Sequence, residues 1–236
     1  MSAPLRDKLI VALDLPGYDE ARALVEHLGD AVSFYKIGLE LVFTGGLDLA
    51  QELKNEGKRV FLDMKLLDIG NTVERAVATA AALGVDFLTV HGHDRKTLAA
   101  AVKGKGASKL KLLAVTVLTS LDANDLAEQG TDIAPADLVL KRAKLAQECG
   151  FDGCISSGQE AARIRAATSP GFLIVTPGIR LPGGDAGDQT RITTPEQALR
   201  DGANHLVVGR PINAAADPYA AAQAFLEHIS AAERFT

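Results

Sequence analysis

Eight short apolar runs recur along the chain. They are "LIVALD" (9–14), "SFYKIG" (33–38), "RVFLDMK" (59–65), "DFLTVHG" (86–92), "KLLAVTVL" (111–118), "DGCISSG" (152–158), "FLIVTPG" (172–178) and "HLVVGR" (205–210). Their near-continuous apolar, β-branched character suits parallel strands covered on both faces. The segments between them have helical spacing instead. "YDEARALVEHLG", "GLDLAQELKNEG" and "TVERAVATAAALG" follow the first three runs and end on Gly29, Gly57 and Gly84, residues that suit a helix stop. "RKTLAAAVKGK", "PADLVLKRAKLAQECG", "GQEAARIRAAT", "TPEQALRDG" and "DPYAAAQAFLEHISAAERF" carry the alternation to its end. Strand–helix alternation repeated eight times predicts an α/β chain folded as a (β/α)8 TIM barrel, one domain over residues 1–236. The alternative is an open doubly wound sheet, but the Gly-x-Gly-x-x-Gly it would carry after its first strand is missing.

Two connections are long: "TSLDANDLAEQGTDIAP" after the fifth strand and "GIRLPGGDAGDQTRIT" after the seventh. Both leave C-terminal strand ends, the face where barrels of this type build their sites, so both are expected to be binding loops or lids.

The 236 residues are 47% hydrophobic and 23% charged, enough for a sizeable core. A net charge of -5 and the lack of a basic run argue against a nucleic-acid partner, although a local site can still hold a small anion. Cys149 and Cys154 follow no metal or redox spacing and are expected in the core. No stretch of about 18 apolar residues could span a membrane. The opening "MSAPLRDKLIVALD" has no separate apolar segment of a signal peptide, so the expected location is cytoplasmic.

The third apolar run ends in "FLDMKLLDIGNT" (61–72), which holds Asp63, Lys65 and Asp68 within six residues. Charges beside an apolar strand are costly unless paired or used. A period of two points Asp63 and Lys65 the same way, with Leu62 and Met64 toward the helices and Phe61 one layer below. Asp14 and Lys36 end neighbouring strands at comparable heights. With Asp68 at the loop start, five charges are expected at one barrel mouth. Barrel interiors are normally packed with branched apolar side chains, so such a cluster points to function. An ammonium among carboxylates keeps its proton. Coulomb attraction is about 4 kcal/mol at 4 Å and an effective dielectric of 20. Lys65 is therefore expected to act as a proton donor to a developing carbanion, not as a Schiff-base nucleophile.

A second group lies after strands seven and eight, the usual phosphate place of this barrel. Gly209 offers backbone N–H, Arg210 a planar fork, Gln189 an amide, and Arg180 in "TPGIR" stands at the start of the same loop. "HGH" (91–93) has too few ligands for a zinc site, and His91 is expected to hydrogen-bond near its strand end. "SSG" (156–158) reads as a helix cap and "GGLDLA" as a loop and helix start.

These residues resemble the orotidine 5'-monophosphate decarboxylase family over nearly the whole chain. The resemblance rests on "VALD", "YKIG", "FLDMKLLDIGNT", "AVTVLTS", "TPGIR" and "VVGRPI". Gly70 stands where the family often has Pro, implying a slightly different turn. The resemblance implies conversion of orotidine 5'-monophosphate to UMP and CO2, the last step of UMP synthesis, with neither metal nor organic cofactor. It makes Lys65 the donor to C6 and Asp63 the carboxylate facing the one that leaves. Lys36 and Asp68 complete the alternating network. Asp68 and Thr72 would reach a neighbouring subunit's site in a homodimer. Asp14 and Lys36 would hold the ribose hydroxyls, Thr119 and Ser120 the pyrimidine. Gln189, Gly209, Arg210 and Arg180 would hold the phosphate. Two rivals remain. One is a 3-keto-L-gulonate 6-phosphate decarboxylase, a related barrel with a similar Asp-x-Lys-x-x-Asp and Mg²⁺. The other is a silent binder of phosphorylated ligands.

Overall fold

A computed structural model of the protein describes residues 5–184 and 191–234. Eight parallel strands close into a barrel in chain order. They are β1 Leu9–Ala12, β2 Phe34–Ile37, β3 Arg59–Leu66, β4 Phe87–His91, β5 Lys111–Val115, β6 Gly153–Ile155, β7 Leu173–Thr176 and β8 His205–Val208. β8 closes on β1 through the pairs Leu9–Leu206, Ile10–Val207 and Val11–Val208. The expected (β/α)8 barrel is therefore the observed one. Most strands are shorter than their apolar runs, because residues such as Val117 and Pro177 have already turned onto the cavity rim.

The strands are apolar on both faces because both are buried. Ile10, Ala12, Phe34, Phe61, Phe87, Leu113, Val175 and Val207 form the cluster inside the barrel. Their strand neighbours Leu9, Val11, Tyr35, Ile37, Leu62, Leu88, Leu206 and Val208 belong to the outer layer that the helices cover. The helices Tyr18–Leu28, Leu47–Asn55 and Gly70–Ala82 end before Gly29, Gly57 and Gly84, whose φ values are 52°, 76° and 72°. A side chain rarely tolerates that left-handed region, so glycine stops each helix there. Gly70 is the first residue of its helix, a position where Pro is also tolerated.

The aromatic rings decide where a site can be. Phe34 and Phe61 pack edge-on against Phe87 at 5.0 and 5.9 Å between centroids. Below them the Arg59 guanidinium caps Phe34 at 4.1 Å, and His205 lies edge-on to Phe87 at 5.2 Å. The N-terminal half of the barrel is thus filled, and the charged residues are left at the C-terminal mouth.

The connection after β5 is not all loop. Ala123–Glu128 is a helix, with Asp122 and Asp125 forming a reciprocal capping box. Cys154 is buried as expected, whereas Cys149 is only half-buried on the outer layer. Among the described residues no helix is long and apolar enough to cross a membrane.

Candidate active site

The register of β1, β2 and β3 builds the charged cluster. Ala12 pairs with Lys36 and Lys36 with Phe61, so Lys36 points inward one step above Phe34, and Asp63 rises above Phe61. Lys36 Nζ lies 2.9 Å from Asp14 Oδ1 and 3.4 Å from Asp63 Oδ2. Lys65 Nζ lies 2.8 Å from the same Asp63 oxygen. The order Asp14–Lys36–Asp63–Lys65 alternates in sign and grades from an exposed Asp14 to a buried Lys36 and a partly buried Asp63. Gly38 makes room for it: a Cβ there would meet Asp14 Oδ1 at 2.8 Å and Lys36 Nζ at 3.1 Å.

Burial alone would push the Lys36 ammonium down, but the Asp63 and Asp14 carboxylates outweigh it and hold its pKa above the ordinary lysine value. Burial would likewise raise the Asp63 carboxyl, and Lys36 and Lys65 hold it below the usual carboxylate range. Both groups are charged at neutral pH.

Simple alternation does not account for Lys65. Leu62 pairs with Leu88 and Leu66 with Val90, so residues 63–65 face Thr89 alone across a bulge. Lys65 has φ 48°, alone among the described non-glycine residues in having positive φ. Such a backbone costs on the order of 1–3 kcal/mol and persists where its surroundings enforce it. The enforcing contact is Thr89, a fully buried β4 residue that sequence reasoning passed over. Its hydroxyl accepts from the Lys65 N–H at 2.9 Å and donates to Asp63 Oδ1 at 2.9 Å. The one available signal was a hydroxyl between Leu88 and Val90.

A cavity of about 630 Å³ opens over this cluster. Asp14, Lys36, Asp63 and Lys65 line one side, Thr119 and Ser120 the β5 side, and Arg180, Gly209 and Arg210 the β7–β8 side. Of the expected site residues, these nine share one mouth. Asn213, also unforeseen, donates to the Ala12 carbonyl at 3.2 Å and fastens the turn Arg210–Asn213 beside β1. Arg180 is buried, donates to its neighbour's carbonyl, and is held by a backbone bond from its N–H to Thr193. Gln189 lies outside the described residues.

Asp68 does not join the cluster of its own chain, a correction to the expected convergence of five charges. The strand has ended, the carboxylate accepts from the Ile69 N–H at 2.6 Å, and the side chain is exposed. Thr72 sits in the first turn of Gly70–Ala82 and does not line the cavity. The chain neighbours of Asp68, Leu67 and Ile69, are exposed apolar side chains, at 51% and 73%, and after β2 Leu39 and Phe43 are exposed at 50% and 84%.

His91 departs from its expected role. Its Nδ1 is buried with no hydrogen-bond partner among the described residues, and its ring lies 4.7 Å from that of His93. Burial, with help from His93, Lys65 and Arg142, pushes its pKa down to about 4. The Ser157 hydroxyl accepts from the Gln159 N–H and caps the helix Gly158–Ala167, as "SSG" suggested.

Comparison with known proteins places this geometry in context. The family model described as orotidine 5'-phosphate decarboxylase / HUMPS family matches residues 7–225. The chain is 54% identical over 224 residues to the orotidine 5'-phosphate decarboxylase of Rhodopseudomonas palustris (strain BisA53), covering 95% of each chain. It is 55% identical over 222 residues to that of Methylorubrum extorquens (strain PA1), covering 94% of this chain and 95% of the relative. The crystal structure of orotidine 5'-phosphate decarboxylase from Lactobacillus acidophilus superposes with a TM-score of 0.83 at 38% identity, covering 94% and 99% of the two chains.

Proposed function

The chain belongs to the orotidine 5'-phosphate decarboxylase / HUMPS family, and on that premise we propose how it works as a decarboxylase of pyrimidine biosynthesis. Its substrate is orotidine 5'-monophosphate and its products are UMP and CO2. The observation that carries this reading is the Lys65 ammonium, 2.8 Å from Asp63 at the mouth of a cavity whose far side holds Arg180 and Arg210.

The bond from C6 of the pyrimidine to its carboxylate breaks, and its electron pair stays on C6 with no ring position to take it up. Electrostatics must stabilise that pair. Lys65 offers the positive charge and then the proton to C6. Asp63 faces the departing carboxylate and holds Lys65 in place. Lys36, bonded to Asp14, keeps Asp63 ionised and, with Asp14, takes the ribose hydroxyls. Thr119 and Ser120 meet the base, and Gly209, Arg210, Arg180 and Gln189 hold the phosphate. Remote phosphate binding orders the two long connections over the base.

This scheme balances its charges with Lys36 and Lys65 and calls for no metal or organic cofactor. The chain is one domain acting in the cytoplasm on a small molecule, without a nucleic-acid partner. Asp68 and Thr72 act across a homodimer. Support for that comes from the exposed Asp68 between the exposed apolar Leu67 and Ile69. Absorbance loss of orotidine 5'-monophosphate, followed with and without EDTA, tests substrate and cofactor together. Equal rates are expected. No turnover of orotidine 5'-monophosphate, together with Mg²⁺-dependent turnover of 3-keto-L-gulonate 6-phosphate, would favour the sugar-phosphate decarboxylase, and binding without turnover a silent binder.

A further inference from the structure

The bulge in β3 raises a question that the reaction leaves open: what holds a lysine in a left-handed backbone at the centre of the site? Residues 63–65 have only Thr89 opposite them on β4, so the strand ladder supplies no regular acceptor for the Lys65 N–H. The Thr89 hydroxyl fills that place at 2.9 Å. A backbone N–H can only donate and a carboxylate can only accept, so the single hydroxyl proton goes to Asp63 Oδ1, also at 2.9 Å. One fully buried group thus grips the backbone of the donor and the side chain of its partner. The methyl group restricts χ1, which keeps both bonds aimed.

We propose that Thr89 is a positioning residue for decarboxylation: its hydroxyl maintains the strained turn at Lys65 and through it the 2.8 Å contact between Lys65 Nζ and Asp63 Oδ2. The inference rests on the decarboxylase reading above. Thr89 does not line the cavity, so it acts through Lys65 and Asp63 and not on substrate.

Thr89→Val keeps the shape and removes both bonds, Thr89→Ala removes them with less bulk, and Thr89→Ser keeps the hydroxyl. The single-turnover rate should fall about a hundredfold in the Val and Ala variants, the scale of a misplacement near 1 Å. KM should move less than about threefold, because ribose and phosphate are held elsewhere, and Ser should restore the rate to within about threefold. The acid limb of the rate profile should also shift to higher pH in Val and Ala, since Asp63 loses a donor to its charged form. A purely structural role would move neither that limb nor the ratio of rate to KM. Unchanged rates in the folded Val and Ala variants overturn the proposal, as does a loss carried by KM or one that Ser does not rescue. If neither variant folds, hydrogen exchange of the Lys65 amide in the unaltered protein decides. Protection is expected, and exchange at the rate of a free loop amide overturns the proposal. An unaltered protein inactive on orotidine 5'-monophosphate would instead refute the decarboxylase reading, while the amide exchange would still report on the Thr89 bond.

Discussion

Arg191 Nη1 lies 2.6 Å from Glu160 Oε1, with both side chains largely buried. The same guanidinium donates from Nη2 to the Leu118 carbonyl at 2.9 Å, one residue before the cavity-lining Thr119. Arg191 thereby ties the end of the β7 connection to the β6 helix and to the start of the β5 connection. Glu160 Oε2 and Arg191 Nε have no hydrogen-bond partner among the described residues, so the pair is incompletely compensated. Breaking a buried pair leaves an unpaired charge at about 3–5 kcal/mol, whereas apolar replacement of both partners is often neutral. Glu160→Gln and Arg191→Met should each lower stability on that scale in urea unfolding. Each should also raise KM at least about tenfold, as the two connections lose their shared anchor. Arg191→Met combined with Glu160→Leu should recover the stability but not the KM. Single variants with a normal KM would show that the pair serves only the fold.

Lys65→Ala should lower the single-turnover rate by at least about a thousandfold, combining the usual worth of a general acid with that of a charge aimed at the transition state. The fold should survive, because Asp63 keeps Lys36 at 3.4 Å and the Thr89 hydroxyl at 2.9 Å. Circular dichroism and the melting temperature check the fold, and the absorbance assay checks the rate. Loss of less than about tenfold would remove Lys65 from the proton-donor role.

The barrel was legible because its evidence is repetitive: eight apolar runs, helical spacing between them, and Gly29, Gly57 and Gly84 at the stops. The converging Asp14, Lys36, Asp63 and Lys65 were legible because inward strand ends meet at one mouth. The bulge was not. A strand period says which way Lys65 points only while the ladder is regular, and nothing in a lysine advertises φ 48°. Thr89 looked like one more β-branched strand residue. Arg191 and Glu160 are separated along the chain, and only the fold brings them together. The helix Ala123–Glu128 had its signal in Asp122 and Asp125, but six residues inside a long polar connection resembled a loop.

Asp68 gives the test of a shared site. Among the described residues its exposed carboxylate bonds to the Ile69 N–H that follows it, between the exposed apolar side chains of Leu67 and Ile69. In a two-fold dimer whose sites each combine Lys65 of one subunit with Asp68 of the other, mixing Lys65→Ala and Asp68→Ala subunits makes hybrids with one intact site. Random exchange then restores about a quarter of the unaltered activity. Subunit exchange is verified independently by mass-tagged chains. No recovery after full exchange would place Asp68 outside the neighbouring site.

At the closed end of the barrel, His205 sets a pH limit on stability. Its ring is packed edge-on to Phe34 and Phe87, and its Nδ1 meets the Asp7 carbonyl at 2.8 Å, so Nδ1 carries the donated proton. Burial, against the opposing pull of that carbonyl, lowers its pKa from 6.5 to about 4. The folded state therefore favours neutral His205, and the unfolded chain binds the extra proton first. The stability this provides is complete above about pH 6.5 and lost progressively as pH falls toward 4. One proton corresponds to about 1.4 kcal/mol per pH unit, so the full loss is on the order of 3 kcal/mol. Urea unfolding at pH 7, 6 and 5 should show this decline, and His205→Gln, neutral throughout, should flatten it by nearly one proton's slope. Equal slopes in the two proteins would mean that His205 is protonated in the fold or free to leave its aromatic seat.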